Sequence, residues 1–106
     1  METMNVVAAL AALAQHSRLA IFRALVQAGP AGLSAGLSAG KIGEATGIAP
    51  SSVSFHMKEL THADMVTSRH EGRFVIYTAN FTTMNALFAF LTENCCGGNP
   101  CTSSCC

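Results

Sequence analysis

Five cysteines, Cys95, Cys96, Cys101, Cys105 and Cys106, all fall within the last twelve residues of a 106-residue chain. Thiolates are soft, polarizable donors for soft metals and metalloids, and neighbouring thiols also undergo reversible oxidation. A structural disulfide framework spreads its cysteines so that each bridge closes a loop of the fold, which this cluster does not do. The odd count also argues against a fully paired secreted tail. The N-terminus, Met1-Glu2-Thr3-Met4-Asn5, lacks the positive segment of a secretion signal. The chain is therefore expected in the cytoplasm, where thiols stay reduced. There the cluster reads as a ligand set for a soft metal or metalloid, or as a redox switch.

No other constellation points to catalysis. A Ser-His-Asp set, a carboxylate pair and a glycine-rich phosphate loop are all missing from the sequence, since residues 29–40 lack both a preceding strand and a Gly-Lys-Ser/Thr ending. An enzyme is not expected. His16 and His56 read as packing or hydrogen-bonding residues at helix edges, and His62 and His70 as exposed, so no histidine is assigned to a metal. Arg18 reads as a structural partner for a carboxylate or a backbone carbonyl.

The elements that position these groups belong to one domain. The chain is 50% hydrophobic and 11% charged, with six basic against six acidic residues and a pI near 6.9. That balance excludes a polybasic nucleic-acid coat and a cationic membrane peptide, so any DNA binding must rely on individually placed residues. No apolar run approaches the roughly 20 residues of a membrane span, and no membrane partner is expected.

Residues 5–28 have helical periodicity. Val6, Leu10, Leu13 and Ala14 share one face, Ser17 is suited to cap a second segment with Leu19, Phe22 and Leu25 or Val26, and Gly29-Pro30 stops it. The tandem Gly-Leu-Ser-Ala at residues 32–35 and 36–39 reads as a tolerated loop insertion. A short helix over residues 41–46 ends at Gly47, and Ile48-Ala49-Pro50 turns the chain into a helix opening near Ser51, the pattern of a helix-turn-helix. In that helix Val53, Met57 and Leu60 point together into the core. Ser51, Ser52, Phe55, Lys58 and Glu59 fall opposite, with Ser54 and His56 on the flanks. Phe55 either folds back onto a neighbour or contacts thymine methyls or another subunit. Residues 65–70 and 73–79 form a β-hairpin, with Gly72 supplying the positive φ of the turn. Asn80 then caps a helix in which Phe81, Met84, Leu87, Phe88 and Leu91 share a face, widened by Ala86 and Phe90. It ends near Asn94, beside the first two cysteines.

This order resembles the ArsR/SmtB family of winged-helix metalloregulators. The segment Ser51-Ser52-Val53-Ser54-Phe55-His56-Met57-Lys58-Glu59-Leu60 resembles the family's recognition helix, with Met57 where the family has Leu. His16-Ser17-Arg18-Leu19-Ala20-Ile21-Phe22 is similar to the start of its second helix, and Arg69-His70-Glu71-Gly72-Arg73 to its wing tip. The resemblance covers residues 5–96. It implies a mainly α, dimeric winged helix-turn-helix with a small β-hairpin, in which residues 1–94 bind DNA and dimerise and residues 95–106 form a cysteine-rich metalloid-binding tail. It further implies a homodimer through the first and last helices that represses an operator in double-stranded DNA until an effector binds. Ser51, Ser52, Ser54, His56 and Lys58 would contact the groove, and Arg69 and Arg73 the phosphate backbone.

The family's Cys-x-Cys site on the first helix of the helix-turn-helix has no counterpart in residues 41–46, and its Asp/His site on the last helix meets only Thr82, Thr83, Asn85, Thr92, Glu93 and Asn94. Cys95-Cys96 with a third thiol behind resembles the arsenite sensors whose ligands lie at the C-terminal end. Trivalent arsenic or antimony takes three thiolates in a pyramid. Cys95 and Cys96 are adjacent, a disulfide between them would close a strained ring, and residues 97–100 form a turn able to return Cys101. Cys105 and Cys106 are alternative donors. The expected inducer is arsenite, with antimonite as a second candidate; a cadmium-, lead- or zinc-responsive repressor and a redox-responsive repressor are the alternatives on the same fold.

Overall fold

The computed structural model describes residues 1–29, 36–94 and 97. Among them are five α-helices and a three-stranded antiparallel sheet: α1 (Thr3–Leu13), α2 (His16–Gln27), β1 (Leu37–Ser38), α3 (Ala39–Thr46), α4 (Pro50–His62), β2 (Val66–Glu71), β3 (Phe74–Ala79) and α5 (Phe81–Leu91). This is a winged helix-turn-helix, as the sequence pattern implies.

α1 and α2 are separated by a sharp break, with a bend of 100°. The residue that caps α2 is Gln15, whose Oε1 accepts from the Arg18 amide at 2.8 Å. Ser17 therefore lies inside the helix and is not its cap. The break is braced by the Arg18 Nε, which donates to the Ala12 carbonyl at 2.6 Å. This is the backbone-carbonyl role expected of Arg18.

α3 is capped by Ser38, which accepts from the Lys41 amide, and ends at Gly47 in the left-handed conformation with φ of 76°. The turn into α4 is tight: Thr46 Oγ1 donates to the Ile42 carbonyl and accepts from the Ile48 amide. A Cβ on Gly43 would stand 2.9 Å from the Ile48 carbonyl, so a side chain there would push the two helices apart. Pro50 opens α4 at a position where its missing N–H has no helical partner to lose.

The sheet order is β1-β3-β2. β2 and β3 pair from Val66↔Ala79 to Glu71↔Phe74, and Gly72 at φ 61° makes the turn. β1 is the correction to the sequence reading. Leu37 and Ser38 pair with Tyr77 and Ile76, so the second Gly-Leu-Ser-Ala copy is a sheet strand running into a helix cap, not an inserted loop. The first copy lies outside the described residues.

The core is formed by Val6, Ala9, Ile21, Phe22, Leu25, Ile42, Val53, Met57, Leu60, Met65, Val66 and Leu87, all buried. α1 and α5 present the expected faces in part: Val6 and Leu87 are buried, and Leu13, Phe81, Met84 and Phe90 pack against the core. α1 buries Val6, Ala9 and Ala12 and leaves Leu10 outside; α5 turns Thr83 and Leu87 inward and leaves Phe88 and Leu91 exposed. Both helices are apolar around most of their circumference, so periodicity alone selects no single face.

Candidate nucleic-acid interface

α4 separates cleanly into two sides. Val53, Met57 and Leu60 are buried, whereas Ser51, Ser52, Ser54, Phe55, Lys58 and Glu59 are exposed and His56 is half-buried. The spacing expected from the sequence is thus realised, and four of the five expected groove residues stand in solvent. His56 differs: its Nδ1 is buried without a hydrogen-bond partner, and its ring meets Phe55 edge-on at a centroid distance of 5.7 Å and an angle of 68°. It lies on the flank of the helix, less accessible than the other four.

The sheet stands beside the exposed side of α4. Two open hollows lie between them, both bordered by Ser54 and Tyr77: one also by Lys58 and Ser68, the other by Arg73 and Phe74. Arg73 is the second residue of the wing turn and is exposed. Arg69 is held within the wing, with its guanidinium 3.4 Å from Thr78 Oγ1 and 3.5 Å from Glu71. Reaching a phosphate would require it to exchange those partners. Ser68, Phe74 and Tyr77 were not singled out by the sequence reading. Their alternation on β2 and β3 was visible, but only the packing of α4 shows which side of the sheet borders the helix.

A second group of polar contacts joins α4 to α5. Asp64, with φ of 62°, follows α4; its carboxylate accepts from Thr83 Oγ1 at 3.1 Å and Asn80 Nδ2 at 3.3 Å. Asn80 Oδ1 in turn caps α5 by accepting from the Thr83 amide, the role read from the sequence. Nothing in the local pattern marks Asp64, because its partners lie 16 and 19 residues further along the chain.

The C-terminal thiols, Cys95, Cys96, Cys101, Cys105 and Cys106, lie outside the described residues. Among the described residues no three His, Cys, Asp or Glu side chains stand together as a metal site. His16, His62 and His70 are exposed. No single helix among the described residues is long and apolar enough to cross a membrane.

A family model described as a helix-turn-helix domain matches residues 13–69, more than half of the chain, from the end of α1 into β2. The chain belongs to this helix-turn-helix domain family. Comparison with curated proteins finds no match. Among solved structures, this helix-turn-helix protein is similar to an ArsR-like transcriptional regulator from Rhodococcus sp. RHA1, with a TM-score of 0.73 at 21% identity over 85% of this chain and 78% of that one. It is similar to reduced HlyU from Vibrio cholerae N16961, with a TM-score of 0.65 at 28% identity over 89% of this chain and 92% of that one. It is also similar to a homodimeric winged helix-turn-helix DNA-binding domain from Mycobacterium bovis, with a TM-score of 0.66 at 26% identity over 83% and 75% of the two chains. Several of its structural neighbours are described as ArsR-like or ArsR-family transcriptional regulators.

Proposed function

We propose that this protein is a homodimeric repressor that holds operator DNA through α4 and the β2–β3 wing and releases it when the thiolates of Cys95, Cys96 and Cys101 take up trivalent arsenic or antimony. The observation that carries the DNA-reading part is the division of α4, whose apolar side anchors the helix while Ser51, Ser52, Ser54 and Lys58 project outward beside Arg73 of the wing. A helix displayed in this way fits the major groove, where serine and lysine side chains meet base edges and phosphates.

The dimer is supported by apolar groups that the described residues leave uncovered. Met4 is 81% and Val7 60% exposed on α1, and Phe88 is 55% and Leu91 56% exposed on α5. Asn5 and Ala8 of α1 line an open cleft together with Thr82, Thr83 and Ala86 of α5. Large apolar side chains left uncovered on two helices in this way are what a subunit interface would bury. Pairing would also place two reading heads on one duplex, which matters for a chain with no net charge.

The effector is argued from donor chemistry. Three thiolates suit a trivalent, thiophilic ion better than oxygen or nitrogen ligands do. Cys95 and Cys96 follow within four residues of Leu91, the last residue of α5. Thiolates held together there would act on the helix whose Phe88 and Leu91 belong to the proposed dimer face, so occupancy changes how the subunits pack and how the reading heads are spaced.

The test is an arsenite titration of the fully reduced full-length protein bound to its own promoter DNA, with free thiols and bound arsenic counted by mass spectrometry. One arsenic per protomer, three protected thiols and concurrent DNA release are expected, and Cys95→Ser/Cys96→Ser protein should keep its DNA. Binding without release reduces the tail to a sink. Release by cadmium, lead or zinc, or by peroxide, with no response to arsenite overturns the metalloid assignment in favour of those alternatives.

A further inference from the structure

We propose that Phe55 reads the C5-methyl groups of thymines in the operator, which makes it a specificity-determining residue; the inference rests on the DNA-reading function proposed above. Phe55 is the sixth residue of α4 and is 60% exposed, so the aromatic ring does not fold back into the core. Its helical neighbours at three and four positions either side are Ser51, Ser52, Lys58 and Glu59, all exposed. A single apolar ring therefore stands in the middle of the polar strip that faces outward.

The ring meets His56 edge-on, 5.7 Å between centroids, and His56 is itself half-buried, with Nδ1 shut away from solvent. An aromatic side chain has only two rotatable bonds to fix on binding and presents a large apolar surface. The surroundings distinguish between occupants. A protein partner would need an apolar patch; Met4, Val7, Leu10, Phe88 and Leu91 are exposed on α1 and α5, Leu19 on α2 and Phe74 on the wing, whereas the residues that border Phe55 along α4 are Ser51, Ser52, Lys58 and Glu59. Serine and lysine suit a nucleic-acid groove, and the only apolar group that base edges present in the major groove is the methyl of thymine. A phenylalanine in the strip gains free energy at a T·A pair and gains none at C·G, so it would discriminate between bases without a hydrogen bond.

The experiment begins by selecting duplexes from a random pool with the full-length protein. Thymines in the selected operator are then replaced one at a time by deoxyuridine, which removes only the methyl group, or by 5-bromodeoxyuridine, whose bromine restores similar bulk. Removing a contacted methyl should weaken binding about fourfold per half-site, and about fifteenfold when both half-sites of a two-fold operator are changed. Bromouracil should restore affinity. Phe55→Ala should unfold at the same urea concentration as the wild type and bind thymine and uracil operators equally. If uracil is neutral at every position, or if Phe55→Ala retains the uracil penalty, the inference is overturned. If uracil is neutral and Phe55→Ala dissociates the dimer, the ring belongs to a subunit contact instead. Failure of the wild type to enrich any duplex would refute DNA reading itself, and this inference with it.

Discussion

Replacing Gly36 by alanine tests whether β1 is a working part of the reading unit. Gly36 has φ of 97°, and a Cβ built there would lie 2.7 Å from the Tyr77 carbonyl oxygen, 2.8 Å from Ile76 Cγ2 and 2.8 Å from Thr78 Oγ1. The first of these is backbone in the central strand and cannot swing aside. The dihedral alone costs about 1–2 kcal/mol for a residue with a Cβ. Relieving the clash requires β1 to lift from β3, which forfeits pairing at Leu37 and Ser38, with each lost hydrogen bond worth about 0.5–1.5 kcal/mol. The expected total is about 2–4 kcal/mol, a large share of the roughly 5–15 kcal/mol that stabilises a domain of this size. Gly72 provides the control, because it has φ of 61° with nothing within 4 Å of an added Cβ, so Gly72→Ala incurs only the dihedral term. Urea unfolding should show Gly36→Ala less stable than Gly72→Ala by about 2 kcal/mol at a common m-value. Because Ser38 caps α3, operator affinity should fall with it. Stabilities of the two variants within about 0.5 kcal/mol of each other, inside the usual spread for surface changes, would refute the close packing of β1 on β3.

Arg73→Ala should weaken binding to all duplexes alike and reduce the slope of log affinity against log salt by about one per protomer, because one phosphate contact is lost; an unchanged slope would remove the wing tip from the interface. Val7→Glu places a charge on the uncovered side of α1. Sedimentation should show a folded monomer with much reduced operator affinity, since Val7 does not belong to the buried core, whereas an intact dimer would exclude this side of α1 from the interface.

What the sequence made legible was local. Helical spacing put Val53, Met57 and Leu60 in the core and the serines outside, Asn80 and Gly47 marked helix ends, and Gly72 marked the wing turn, because each of these depends on neighbours within a few residues. β1 was hidden for the opposite reason. Two residues carry no period, and their partners Tyr77 and Ile76 lie about 40 positions away in the chain. A Gly-Leu-Ser-Ala duplication then reads as filler although its second copy is strand, cap and helix start. On α1 and α5 the periodicity places Val6, Leu13, Phe81, Met84 and Leu87 toward the core but not Leu10, Phe88 and Leu91, because the apolar residues exceed what the core covers. That surplus, with Met4, Val7, Phe88 and Leu91 left outside, is also what supports an interface.

The contacts at the junction of α4 and α5 bear on how events at one end of the molecule reach the other. α4 ends at His62; the Asp64 amide donates to the Thr61 carbonyl, and its carboxylate receives hydrogen bonds from Asn80 and Thr83 at the opening of α5. The Asn80 amide closes the same junction by donating to the Met65 carbonyl at 2.8 Å. The reading helix and the last helix therefore share one hydrogen-bonded corner, held by a residue whose positive φ would otherwise be unfavourable. α5 extends from that corner for 11 residues to Leu91, and the thiols follow it in sequence. Switches of this type require a coupling of about 1–3 kcal/mol between sites. One or two hydrogen bonds of about 0.5–1.5 kcal/mol each, made in one orientation of α5 and not in the other, supply that amount. In the proposed switch, a small rotation of α5 against the Asp64 corner would have to repack Leu87, which α5 buries in the core, and through that contact and the corner would change the angle at which a dimer presents its two copies of α4.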